Sequence, residues 1–256
     1  MAKIKWDQTG ERRFENGVDR GVLYMPDETG KYVDGVPWNG LVNVTEKPSG
    51  AEPTAVYADN IKYITLISAE EYAASIEAIT YPDEFLPYDG LAEVAPGVFV
   101  GQQPRGGFGL SFRTLIGDDL NPQRGYKIGL IYGALAATSE KAHATINDSP
   151  EAATFTWELS TNPVELEGHK PTASLTIDST KVDAAALAEL ESLLYGTETD
   201  KPQLPTPAEV IALFAGTGEA GGAGAQGMMA PASFSNAEDN STDYTVQQGE
   251  PEDNEL

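Results

Sequence analysis

Period-two alternation of apolar and polar residues, punctuated by turn dipeptides, is the feature that most restricts how this chain can fold. It is plainest at residues 154–160, where Phe155, Trp157 and Leu159 share one side and Thr156 and Glu158 the other, and it returns at Ala173, Leu175 and Ile177. Successive side chains of a pleated strand point to opposite faces, so this pattern describes strands with one buried face and one wet face. Leu41–Glu46 and residues 62–67, 108–115 and 126–136 are rich in β-branched and aromatic residues bounded by Gly, Pro or Asp, and they read as further strands. Asn16-Gly17, Asp34-Gly35, Asn39-Gly40 and Asp89-Gly90 are of the hairpin-turn type, which implies antiparallel neighbours.

Helical signals are fewer. Asp183 is placed to cap a helix whose Leu187, Leu190 and Leu194 repeat on one side, with Gly196 placed to end it. Pro207–Ala215 opens on proline and carries Val210, Ile211 and Phe214 on one side, which predicts a second helix. Residues 68–79 fit either a capping box or a strand, and the strand is preferred from Ala73. The expected fold is therefore mainly β, an antiparallel β-sandwich with one or two packed helices.

A boundary is expected near Ala215. Six of the twelve residues from Gly216 to Gly227 are glycine, which is flexible-linker composition. All 16 Lys and Arg lie at or before Lys201, whereas residues 202–256 carry nine acids and no base. Residues 1–215 are thus expected to form the folded domain and residues 216–256 a Gly-rich linker with an acidic, disordered tail, which buries too little apolar surface to offset its ordering entropy.

Several classes of function find no support in these residues. With no cysteine the chain has no disulfides, thiolate metal sites or thiol nucleophiles. A net charge of −24 opposes binding to a phosphate backbone, which clustered Lys and Arg would hold. Gly106-Gly107-Phe108-Gly109 lacks the rest of a phosphate loop, and Gly109-Leu110-Ser111-Phe112-Arg113 lacks the closing glycine of a nucleophile elbow. His143 and His169 have no metal-ligand spacing, and Asp118-Asp119-Leu120-Asn121 is a poor match to a calcium loop. Neither a signal peptide nor an apolar membrane span is expected. Neither catalysis nor a cofactor or metal is therefore expected.

The candidate site is an interface. Trp157 lies on the apolar side of a strand and belongs in the core, while Trp6, near the N-terminus, and Trp38, beside a turn, are harder to bury locally. Tryptophan is enriched in interface hot spots. The polar stretch Thr45, Glu46, Lys47, Pro48, Ser49 and on to Glu52 reads as a loop between strands able to reach a neighbouring subunit, and the arm from Met1 to Phe14 has no evident strand partner within the chain.

Residues 9–24, 35–72, 80–85, 95–105 and 139–161 together resemble the major tail protein, the tail-tube subunit, of long non-contractile-tailed bacteriophages; the acidic tail falls outside the resemblance. The resemblance implies a virion protein made in the host cytoplasm. Its β-sandwich subunits would form homohexameric rings, with neighbouring sheets joined into a ring-shaped barrel, and the rings would stack into a hollow conduit for DNA ejection. Partners implied are the chain itself and the tape-measure, tail-tip and tail-terminator proteins, with genomic DNA passing the lumen without specific binding. A conduit must not grip its cargo, so lumen-facing strands are expected to present carboxylates in excess of Lys and Arg. The competing expectation is a monomeric carbohydrate- or surface-binding β-module that uses Trp6 and Trp38.

Overall fold

Residues 21–24, 108–112 and 128–132 are apolar at nearly every position, and an unbroken apolar run in a strand means that both faces are covered. In the computed structural model, which describes residues 3–143, 145 and 152–216, all three runs are buried in the central strands of one sheet. The strands are β1 (Phe14–Pro26), β2 (Tyr32–Trp38), β3 (Leu41–Glu46), β4 (Ser49–Gly50), β5 (Pro53–Ala58), β6 (Ile61–Ile67), β7 (Glu70–Glu71), β8 (Ala73–Ala78), β9 (Ala92–Ala95), β10 (Val98–Val100), β11 (Phe108–Gly117), β12 (Gly125–Ala136), β13 (Phe155–Thr161) and β14 (Ser174–Asp178). The helices are α1 (Ala184–Tyr195) and α2 (Pro207–Ala215). The chain divides into Met1–Ala220 and Gly221–Leu256, and the linker and acidic tail expected after Ala215 lie, apart from Gly216, outside the described residues.

An eight-stranded antiparallel sheet has the order β2-β1-β11-β12-β13-β8-β3, with β14 added beside β12. The strands β2 and β3 end this row, yet only Asn39-Gly40 lies between them in sequence. Seven strands side by side would span roughly 29 Å at about 4.8 Å each. The step from Trp38 to Leu41 reaches at most about 11 Å. The sheet must therefore curl until its edges approach, and β1 and β3 do come into contact without pairing, so that the ladder stays open.

β12 serves two neighbours in turn. Its residues Lys127 to Ile131 pair with β14, and Ala134 to Ala136 pair with β13. The changeover is at Gly133, with φ +59, where an added Cβ would lie 2.4 Å from the Asn162 carbonyl oxygen. Only glycine combines that left-handed conformation with so close a backbone approach.

The two faces of this sheet have different cores. On the concave face Leu23, Leu110 and Ile131 pack with Trp38, Phe85 and Trp157. On the other face Val22, Tyr24, Leu130 and Tyr132 lie under Leu187, Leu190 and Leu194 of α1 and Val210 of α2. Asp183 caps α1 by accepting from the amides of Ala185 and Ala186, and Thr206 with Glu209 forms a capping box on α2. Tyr24 ties sheet to helix, its hydroxyl donating to the Leu194 carbonyl at 2.8 Å.

Two expected hairpin turns are strand residues. Asn16-Gly17 forms an irregularity within β1, where the register against β11 slips between Asn16 and Val18. Asp34-Gly35 lies inside β2, and the glycine is required there because an added Cβ would come within 2.7 Å of Pro202 and 2.9 Å of the Tyr24 ring. Close packing, rather than a turn, accounts for that residue.

Ion pairs fasten the margin of β1, β11 and β12. Arg113 holds Asp19 in a two-pronged contact at 2.7 and 2.6 Å, Arg124 holds Asp118 at 2.6 Å, and Lys127 holds Glu15. Hydrogen bonds from Arg113 and Arg124 keep the Asp19 and Asp118 carboxyls below the usual carboxylate range. Burial raises Glu15, but hydrogen bonds from Lys127 and Thr114 outweigh it and the net shift is downward. A depressed folded-state pKa contributes stability above the unfolded value of about 4, and that stability is lost as pH falls through the folded value. The urea midpoint followed by tryptophan fluorescence is expected to be flat from about pH 7 to 5 and to drop below about pH 4. A midpoint that held or rose in acid would contradict these assignments.

Candidate assembly surface

From Leu41 to Ala78 the chain is one long antiparallel hairpin. Glu46 pairs with Ala74, Ser49 with Glu71, Gly50 with Glu70 and Pro53 with Ile67, so a single register runs from the sheet through β4 and β7 into β5 and β6. The tip is the two-residue turn Asp59-Asn60, with φ of 51° and 63°, and Asx residues tolerate the left-handed conformation that such a turn demands. β3 and β8 belong to the main sheet, whereas residues 47–72 form a separate two-stranded ribbon. At about 3.3 Å per residue, thirteen residues per side make it roughly 40 Å long.

The ribbon is apolar on both faces. Val56, Ile64 and Leu66 lie on one side and Tyr57, Tyr63 and Ile67 on the other, all between 38% and 70% exposed. A half-buried strand alternates apolar with polar; one apolar on both faces is built to be covered twice. An isolated two-stranded ribbon is also only marginally stable, so the element is incomplete within one chain. Val94, Val98 and Phe99 on the β9–β10 hairpin add a second exposed apolar group. Three edges of the main sheet carry no further strand among the described residues: β2 on the side away from β1, where only the single bridge from Tyr32 to Leu204 forms, β3 on the side away from β8 and β14 on the side away from β12.

The expected interface residues divide. Trp6 is 76% exposed. Trp38 is a correction: it is 2% exposed and sits in the concave core, its indole N–H donating to the Thr80 carbonyl at 3.1 Å and its ring 4.6 Å from that of Phe85 and 5.6 Å from that of Trp157. The sheet's curl brings those partners over it, so it is not available to a neighbour. Thr45, Glu46, Lys47, Pro48 and Ser49 are not a free loop. Thr45 and Glu46 end β3, Lys47 bonds both Glu158 oxygens at 2.7 and 2.8 Å, Pro48 interrupts the ladder and Ser49 resumes it. They form the root of the ribbon. Of the apolar tip that they carry, only residues 62–67 were read as a strand; β5 and the Asp59-Asn60 turn were missed, although Val56, Tyr57 and the Asx pair carry the local signal for them.

One face of the β3–β8–β13 layer is polar. Across it run the rows Asn43, Glu77, Thr156 and Thr45, Ser75, Glu158, with Ser160 beyond. Asn43, Thr156, Glu158 and Ser160 on it are exposed, Thr45 and Glu77 are half-buried, and Ser75 is buried between its neighbours. Two carboxylates stand on it, and the nearby Lys47 is already paired with one of them.

No reaction centre converges elsewhere among the described residues. No group of three or more His, Asp or Glu is placed to hold a metal, and both histidines are exposed. Ser111 is buried and hydrogen-bonded to the Tyr24 hydroxyl at 3.1 Å. A cleft of about 600 Å³ lies between Arg20, Trp38, Leu41 and Tyr195, but Arg20 is stacked over the Tyr195 ring and Asp19 is committed to Arg113. No helix among the described residues is long and apolar enough to cross a membrane. No protein-family model and no curated protein sequence matches this chain.

Proposed function

We propose that this chain is the tail-tube subunit of a long non-contractile-tailed bacteriophage, a virion protein that polymerises as stacked hexameric rings into the conduit for DNA ejection. The observation that carries the reading is the ribbon of residues 47–72, with large apolar side chains exposed on both faces. A monomer leaves those faces wet, whereas a ring in which each ribbon lies between neighbouring copies covers both. The free edges of β3 and β14 fit the same arrangement, because a neighbour's strand extends a sheet through main-chain hydrogen bonds. Repetition around a ring then joins the sheets into a barrel. Tape-measure, tail-tip and terminator proteins are its further partners under this reading.

The polar face carrying Glu77 and Glu158 is assigned to the lumen. Duplex DNA bears one negative charge per about 1.7 Å of axis, and a wall with more carboxylates than bases centres it by repulsion instead of holding it. The competing reading, a monomeric carbohydrate- or surface-binding module, loses one of its two tryptophans, since Trp38 is buried.

Electron microscopy and sedimentation across a concentration series, with tail-tip complexes added as seeds, test the proposal. Hollow tubes or six-fold rings with Glu77 and Glu158 on the inner wall are the expected result. Persistent monomers despite seeding would overturn the tube reading in favour of the binding module, and tubes with a basic inner wall would overturn the lumen assignment.

A further inference from the structure

We infer that the N-terminal arm of one copy, through residues 3–6, adds as a third strand to the ribbon of another copy, a contact that rests on the self-assembly proposed above.

The arm is the one strongly basic segment of an acidic chain. Up to Arg13 it carries Lys3, Lys5, Arg12 and Arg13 against Asp7 and Glu11, while the whole chain has 40 acids and 16 bases. Eight of the other twelve bases, Lys47, Arg105, Arg113, Arg124, Lys127, Lys141, Lys181 and Lys201, are held in ion pairs, whereas none of the arm's four forms one among the described residues. The arm also alternates. Lys3, Ile4, Lys5 and Trp6 in extended form put both bases on one side and both apolar residues on the other, and Ile4 and Trp6 are 69% and 76% exposed. Its root is fixed, the Gly10 amide donating to Asp119 at 2.9 Å, the Asp7 carbonyl accepting from Arg12 at 3.3 Å and the Gln8 carbonyl from the Glu11 amide at 3.0 Å, which leaves the residues up to Trp6 to reach outward by up to about 20 Å.

The ribbon is the arm's complement. Its two strands pair only with each other, so β6 offers an unpaired edge over the seven residues Ile61–Ile67. Beside that apolar stretch stand Glu52, Glu70 and Glu71, all exposed and none in an ion pair among the described residues. A strand added along β6 satisfies its edge, lays Ile4 and Trp6 against one apolar face and sets Lys3 and Lys5 near the glutamates. It also converts a marginal two-stranded ribbon into a three-stranded one. Because arm and ribbon are different surfaces of the same chain, the contact is head to tail and propagates from copy to copy.

The absence of native cysteine permits a direct test in the full-length chain. One chain carries Ile4→Cys, a second carries Thr65→Cys, and the two are mixed and treated with a short bismaleimide. A cross-linked heterodimer is expected, its yield falling as sodium chloride is raised, because the pairing is partly electrostatic. Adding Lys3→Glu and Lys5→Glu to the first chain is expected to cut the yield about tenfold, equivalent to 1.4 kcal/mol, and Glu70→Lys with Glu71→Lys on the second chain to restore it. Copies that associate without this cross-link, charge reversal without effect, or a link formed only within a dilute chain carrying both cysteines would each overturn the inference. Cross-linked dimers that never become tubes would instead uphold the arm contact and sink the tube reading.

Discussion

Replacing Pro53–Ile67 by a two-residue Asn-Gly turn, so that Glu52 and Ser68 are joined through it, is expected to give a folded monomer that no longer assembles. Every residue of β6 is exposed, and β5 and β6 pair only with each other, so their removal takes no side chain from either core. The shorter connection lowers the entropy of closing the loop, a change of well under 1 kcal/mol in the same direction as stability. The melting temperature should therefore stay within a few degrees of the parent's. Association should suffer far more, because buried aromatic anchors such as Tyr57 and Tyr63 are worth about 2 kcal/mol or more each in an interface. Losing two of them raises the concentration needed for assembly by at least about a hundredfold. Thermal melting read beside sedimentation separates the possible roles. A collapse in melting temperature would show that the ribbon supports the fold, and unimpaired tubes would show that it is not the assembly element.

That ribbon marks the limit of what the sequence discloses. Residues 62–67 read correctly as a strand, since Tyr63, Ile64, Leu66 and Ile67 suit no other element, but periodicity reports that a side chain seeks cover and not which chain supplies it. By contrast β3, β8, β11, β12 and β13 and both helices were legible, because their apolar spacing, caps and turn residues are local. β1 and β2 were not recognised as strands, their Asn16-Gly17 and Asp34-Gly35 suggesting turns, whereas Gly17 sits at a bulge with φ +68° and Gly35 is where Tyr24 and Pro202 leave no room for a Cβ. Trp38 was misplaced for a related reason. Its neighbours Pro37, Asn39 and Gly40 announce a surface turn, while its burial depends on Phe85 and Trp157, which only the curled sheet brings to it. Thr45 to Ser49 are polar because they are the ribbon's exposed root, and their pairing with Ser75, Ala74 and Glu71 is set by a register closed at the distant tip.

Asp89 was equally hidden, and it leads to the second large effect. It follows the 3-10 turn Asp83–Phe85 that lies over the concave core, and its carboxylate is buried. There it accepts the Trp157 indole N–H at 3.2 Å and pairs with Lys141, while Arg105 donates to its backbone carbonyl at 2.8 Å and approaches its carboxylate at 3.8 Å. Trp157 itself is fully buried, its ring 5.2 Å from Phe85, 5.4 Å from Tyr81 and 5.6 Å from Trp38, with the Lys141 ammonium 6.0 Å over it. Trp157→Ala is expected to cost about 3–5 kcal/mol, by emptying the largest buried side chain and leaving its aromatic neighbours without partners. Trp157→Phe keeps most of the ring contacts and loses the N–H donor, for a cost of about 1–2 kcal/mol. Asp89→Ala should rival the alanine variant, at about 3–5 kcal/mol, because Lys141 and Arg105 are then left partly buried without their counter-charge. Urea unfolding of the three variants checks the ranking. If Trp157→Phe were as damaging as Trp157→Ala, the hydrogen bond to Asp89 and not the packing would hold this core together, and the double variant Trp157→Phe with Asp89→Asn would then cost little more than either change alone.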